Sequence, residues 1–178
     1  MSEVKSLDSY PSIKKDKNAK SLSYFFTTNK SFINTEILDI MQDSVVKEKT
    51  NIRVSLHSSP DNLFHNMIIA QGDFTYNKPH KHVNKAETYH ILYGEQLVVI
   101  FNDDGTISDK FLMSKEENMI YRFEKGIFHM TIPLTPCCIF HESKIGPFVR
   151  EGDSIFASWA PNENESQQFI SNLLKGIK

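Results

Sequence analysis

The sequence predicts a mainly β protein, a β-sandwich or barrel preceded by an extension with one helix and followed by a short C-terminal helix. Three observations carry that expectation. From about residue 51 the chain breaks into short apolar runs, with turn residues roughly every 8–12 positions, the rhythm of sandwiches and barrels. The pair Asp104-Gly105, between VVIFND and TISDKFLM, is a strong hairpin signal, because both residues accept the left-handed backbone of a tight turn. Helical periodicity is confined to the two ends, so the strands are not interleaved with helices as βαβ units would be.

Taken in order, residues 1–20 are polar and lysine-rich with one proline, a composition expected to be extended or poorly ordered. NTEILDIMQDSVVKEKT (34–50) reads as an amphipathic helix. Asn34 is the N-cap, Glu36 sits in the first turn, and Ile37, Leu38, Met41 and Val45 recur at helical spacing. The strand-like runs follow: NIRVSLH, NMIIAQG, then TYHILYG and QLVVIF around the Gly94-Glu95 turn. NMIYRFEKG, FHMTIPL and CCIFHES come after the hairpin. The tail closes with a helix carrying Phe169, Ile170, Leu173 and Leu174. The expected division is 1–50 as an N-terminal extension, 51–162 as the barrel and 163–178 as the C-terminal helix.

At 178 residues, 39% hydrophobic and with 13 phenylalanines, the chain suits one domain with an aromatic core. A net charge of -2 gives no basic footprint for nucleic acid. No run approaches the roughly 20 apolar residues of a spanning helix, and no signal-peptide core is present, so no membrane partner and a cytoplasmic location are expected. Cys137 and Cys138 are adjacent; in a strand their side chains diverge, against a mutual disulfide, and the spacing is wrong for a CxxC zinc pair.

The chemistry concentrates in PHKHVNKAETYHILYGE, residues 79–95. His80 and His82, two apart, share a face of an extended strand, and Glu87 follows across a short polar loop. His129 opens a later strand behind the turn at Gly126, where barrel topology can return it beside the first pair. Any one of these histidines alone reads as a surface or satisfied polar residue. Together, three imidazoles and a carboxylate form a ligand set for a divalent transition metal, zinc, iron, manganese or nickel, with positions left for water or substrate.

The spacing G-x7-H-x-H-x4-E-x6-G over Gly72, His80, His82, Glu87 and Gly94 resembles the first cupin motif, and G-x2-H over Gly126 and His129 resembles the second. Phe123-Glu124-Lys125-Gly126 stands where that motif usually carries PxG. RVSLHSS, VVIFNDDG, FHESKIGPF and FASWAP, in that order around the histidine segment, look like the WbuC family of cupin metalloproteins over roughly residues 50–162. The resemblance implies a cupin double-stranded β-helix (jelly-roll) barrel that self-associates, as a homodimer, and a setting among genes for O-antigen or other surface polysaccharide. It implies no particular reaction.

Alternation along residues 87–93 puts Glu87, Tyr89 and Ile91 on one face and Thr88, His90 and Leu92 on the other, so Tyr89 is expected beside the metal as a catalytic group and His90 outside. Arg53, His57, Lys144 and Trp159 fall in WbuC-like segments and are candidates for binding a sugar-like small molecule; His141 has no assigned role. The leading expectation is a metal-dependent isomerase, epimerase or lyase acting on a sugar or nucleotide-sugar. The alternatives are an iron-dependent dioxygenase and a non-catalytic, metal-stabilised sugar-binding or regulatory module. An open mouth with titratable groups would favour an enzyme, and an ion sealed by apolar side chains a structural role.

Overall fold

Alternating burial along the strands sorts the chain into two facing sheets. The computed structural model describes residues 6–149 and 151–176. In chain order the elements are β1 (Ile13–Lys15), β2 (Leu22–Phe26), α1 (Thr35–Val46), β3 (Ile52–Ser55), β4 (Phe64–Gln71), β5 (His80–Lys81) and β6 (Glu87–Tyr93). There follow β7 (Gln96–Phe101), β8 (Ile107–Met113), β9 (Ile120–Phe123), β10 (Phe128–Pro133), β11 (Cys138–Ile145), β12 (Ile155–Phe156) and α2 (Ser166–Leu173). The larger sheet runs β1-β2-β3-β4-β11-β6-β9 and the smaller β12-β5-β10-β7-β8, the expected double-sheet jelly roll with a helix near each end.

Three apolar clusters follow from this layering. Between the sheets lie Tyr89, Ile91, Val98, Ile100, Met113, Phe123 and Phe140, every second residue of their strands. On the outer face of the larger sheet, Ile52, Val54, Ile68 and Ala70 pack beneath Ile37, Met41 and Val45 of α1. On the outer face of the smaller sheet, Leu97, Val99, Phe101, Met130 and Ile132 are covered by α2 and Trp159. Cys137 joins the α1 cluster and Cys138 the inter-sheet one, so the adjacent thiols diverge, both free and buried.

Helix α1 starts where its cap predicts, with Asn34 Oδ1 accepting from the Ile37 N–H at 3.0 Å. It ends at Val46, short of the expected residue 50. β2 and β3 pair in parallel, Leu22 opposite Ile52, so α1 is the crossover of one β-α-β unit that the strand rhythm did not predict. The polar N-terminal stretch is also folded from residue 6 onward. Leu7 and Ile13 are buried in the α1 cluster with Tyr10 packed against it, while Lys14 and Lys15 stay exposed. The expectation for residues 1–5 lies outside the described residues.

The hairpin expected at Asp104-Gly105 forms, β7 with β8, where the Gly105 N–H donates to the Asn102 carbonyl at 3.0 Å. β6 and β7, consecutive around Gly94, do not pair, because the chain crosses there from the larger sheet to the smaller. Gly94 has φ +73, and a side chain there would meet the Cys137 carbonyl at 2.3 Å.

Candidate metal centre

The two sheets each contribute residues that could hold a metal. His80 and His129 are direct partners on the antiparallel strands β5 and β10 of the smaller sheet, and His82 follows β5 by one residue. Glu87 opens β6 on the larger sheet and faces them from the opposite wall. The donor atoms of His80, His82, Glu87 and His129 all lie within 4.8 Å of one another. Glu87 Oε1 is 2.9 Å from His129 Nε2, and Oε2 is 3.3 Å from His82 Nε2. His82, Glu87 and His129 are 4%, 2% and 2% exposed; His80 is the half-buried member.

The second nitrogen of each ring decides how the first can act. His80 Nδ1 contacts the Lys78 carbonyl at 2.9 Å, His82 Nδ1 the Asp153 carbonyl at 2.5 Å and His129 Nδ1 the Ile127 carbonyl at 3.0 Å. A carbonyl only accepts, so in all three rings Nδ1 is a donor; Nε2, which in His82 and His129 meets the Glu87 carboxylate here, is the nitrogen left to ligate once it gives up its hydrogen. Three imidazoles held in the ligating tautomer around one buried carboxylate fit a divalent metal ion.

Burial disfavours charge on Glu87, but hydrogen bonds from His129 and His82, with the Lys144 ammonium nearby, outweigh it and hold the carboxyl well below its usual range. His82 is likewise penalised by burial yet raised by Glu87 and the Asp153 carbonyl. His80, without such a partner, is pushed down to about 4 by burial and then by His129. Lys144 lies opposite Glu87 in the β11–β6 register, 3.8 Å from Glu87 Oε2 and 2.8 Å from Glu142 Oε1. Burial works against its charge, but Glu142 and Glu87 raise it above the ordinary lysine value.

Beside this cluster lies a cavity of about 430 Å³, lined on the cluster's side by Lys144 and also by Asp153 and Phe156. Arg53 and Ser55 of β3, His65 and Met67 of β4, and His57 line it, and the β1–β2 turn from Asp16 to Ser21 closes its far side. The His57 and His65 rings stack 4.2 Å apart. Burial, then the neighbouring His65, pushes His57 down to about 4, with Arg53 and Lys144 adding to the effect.

Residues 33–113 match a family model described as a domain of unknown function, DUF6016. No curated protein matches the chain. Among solved structures, capsular polysaccharide assembling protein CapF from Staphylococcus aureus has a TM-score of 0.50 at 14% identity, over 58% of this chain and 29% of that one. CapF with the inhibitor 3-isopropenyl-tropolone matches likewise, at 0.50 and 15%, over 58% and 30%. The chain thus spans less than a third of CapF's length. The Schizosaccharomyces pombe Cnp3 cupin domain is a more distant match, with a TM-score of 0.41 and 15% identity over 53% of this chain and 64% of that one. The chain has a cupin fold.

In this fold the four residues expected as ligands converge. Arg53, His57 and Lys144 line the adjoining cavity. Trp159 does not. It packs on Phe101 and Phe128 on the outer face of the smaller sheet and donates to the Asp103 carbonyl at 3.1 Å, because the turn at Gly105 leaves room for its ring. Tyr89 is inside as alternation requires, stacked 4.6 Å from Phe140. Its phenol is raised well above its usual value, by burial first and then by Glu142 and Glu87, so it is a held proton and not a base at neutral pH. His90 and His141 pair across β6 and β11, and His141 bonds Asn66 Oδ1 at 3.1 Å, away from the site. Glu142, Asp153, His65 and Lys85 escaped the sequence reading. The first is two residues from Lys144 on its own strand face, a signal alternation offers. Asp153 and Lys85 meet only in the folded chain, where Lys85 Nζ pairs with Asp153 Oδ1. Among the described residues no helix is long and apolar enough to cross a membrane.

Proposed function

We propose that this cupin is a divalent-metal enzyme that isomerises, epimerises or eliminates on a sugar or nucleotide-sugar used in bacterial surface polysaccharide (O-antigen or capsule) synthesis. The observation that supports it best is the tautomer lock: three backbone carbonyls turn three Nε2 atoms toward one carboxylate, next to a cavity lined by titratable groups. The WbuC-like segments, and the likeness in fold to a capsular polysaccharide assembling protein, are in keeping with a sugar substrate.

A zinc, iron, manganese or nickel ion held by His80, His82, Glu87 and His129 would supply Lewis acidity to a substrate oxygen. The chain's own groups do the rest. Lys144 adds to the hydrogen bonds of His129 and His82 that keep Glu87 ionised, and places a cation at the junction of cluster and cavity. Tyr89 holds its proton toward Glu87 and Glu142 and thereby orients both. His57, facing the cavity as a neutral imidazole, is a group suited to hydrogen-bond the substrate or accept a proton, not to give one up. Near-complete burial of His82, Glu87 and His129 favours one second reading, a structural ion in a non-catalytic sugar-binding module.

Elemental analysis of protein purified without added metal, beside His82→Ala, tests the metal. Near-stoichiometric transition metal that falls away in the variant is expected, and metal-free folded protein would sink the proposal. Incubating the loaded protein with a panel of nucleotide-sugars then separates the two readings: conversion means an enzyme, whereas binding without conversion leaves the module.

A further inference from the structure

Among the described residues, Arg53 is a charge without a counter-charge. It projects from β3 on the face opposite the buried Ile52 and Val54, into the cavity. Its Nε is buried with no hydrogen-bond partner, and among the described residues no carboxylate pairs with the guanidinium. A buried donor left unmet costs stability, and an arginine fork matches the two oxygens of a carboxylate or phosphate.

His57 lies beside it, with Nδ1 3.1 Å from both the Asn66 backbone N–H and the Asn66 carbonyl, so either tautomer of the ring finds a backbone partner. Lys144 adds an ammonium at the end nearest the metal ligands. The acidic groups on the lining have other engagements. Asp153 is paired with Lys85, and Asp16 Oδ1 accepts from the Asn18 N–H within its own turn. The wall therefore offers, where a ligand would sit, a guanidinium with no carboxylate partner among the described residues, beside an ammonium already shared with Glu142 and Glu87.

We infer that the cavity is an oxyanion subsite, in which Arg53, assisted by Lys144, binds a carboxylate or phosphate carried by the molecule presented to the metal ligands. This deepens the proposed function, on which it rests for the metal, by making the substrate an acidic or phosphorylated sugar in place of a neutral one.

Calorimetric titration of the metal-loaded full chain with glucuronate, glucose phosphate and glucose tests it. One anionic sugar should bind at least about tenfold tighter than glucose, and whichever wins identifies the group as carboxylate or phosphate. Arg53→Gln should erase that preference with metal content and circular dichroism unchanged, and Arg53→Lys should keep part of it. Equal binding of glucose, no binding by either anionic sugar, or an undiminished preference in Arg53→Gln would overturn the inference. Metal content measured on the same samples keeps the two ideas apart. Anion preference in metal-free protein leaves the subsite standing and removes the metalloenzyme; full metal with no anion preference does the reverse.

Discussion

The backbone N–H of Gly126 donates to the His82 carbonyl at 2.7 Å, fastening the turn before β10 to the segment that carries two of the ligands. Gly126 holds φ +78, yet a side chain there would meet nothing within 4 Å, so glycine is required by the backbone and not by space. Gly126→Ala should cost about 1–2 kcal/mol, lowering Tm by roughly 3–6 °C, and should weaken metal binding as the His82 end loosens. A thermal melt and a competition titration with a chelator check both; an unchanged melt would mean that the turn relaxes freely.

Asp153 acts at one remove. Its carbonyl fixes the His82 tautomer, and its carboxylate is anchored by Lys85, which also donates to the Pro147 carbonyl at 2.6 Å. Asp153→Ala keeps the carbonyl but frees the loop that presents it. Metal affinity should fall about 10–100-fold, the usual penalty for losing an outer support, with the ligands themselves untouched. An affinity equal to wild type would show that the loop is held without the carboxylate.

Lys144 is buried between two carboxylates, Glu142 and Glu87. Lys144→Met strands both, and removing one partner from such a buried set costs about 3–5 kcal/mol. The paired change Glu142→Gln with Lys144→Met should recover part of that loss, because one of the stranded charges is gone. Urea unfolding of wild type, the single and the double variant measures it; a double variant no more stable than the single would refute the coupling.

The histidines around the cavity set an acid limit. His57 is lowered from 6.5 to about 4 and His65 is lowered as well, by burial first in both. Between those values the unfolded chain takes up protons that the folded one refuses, so stability falls as pH drops through this window. His82 runs the other way: its raised value contributes stability at low pH that is lost as pH rises through it. With His57, His65, His80 and His141 all lowered and His82 alone among the shifted histidines raised, the urea midpoint of metal-free protein should drop between about pH 7 and pH 5. His57→Gln should flatten that slope, and a slope unaltered by the substitution would remove His57 as its source.

Much of the site could be read from the chain because it obeys short-range rules. Two-residue alternation placed Glu87 and Tyr89 inward and His90 outward, and strand pairing brought His129 beside His80. What escaped depended on distant partners. LSYFF of β2 lies between β1 and β3 and lacks the clean alternation of an exposed strand, and its parallel partner is reached only through α1. Asp153 and His65 gain their roles from contacts that no local pattern encodes. Trp159 shared a recognisable segment with pocket residues, yet segment membership does not fix a direction, and its ring points at Phe101.

The turn from Asp16 to Ser21 closes the cavity, and Leu7 and Ile13 seal the α1 cluster. A boundary drawn at the first barrel motif, or at residue 33 where the family model begins, would cut through both. A fragment so trimmed would expose Ile52, Val54 and Ile68 to water and leave Arg53 facing open solvent, where a guanidinium discriminates poorly among anions. The smallest piece of this chain able to report on ligand selectivity therefore starts before the segment that makes it recognisable.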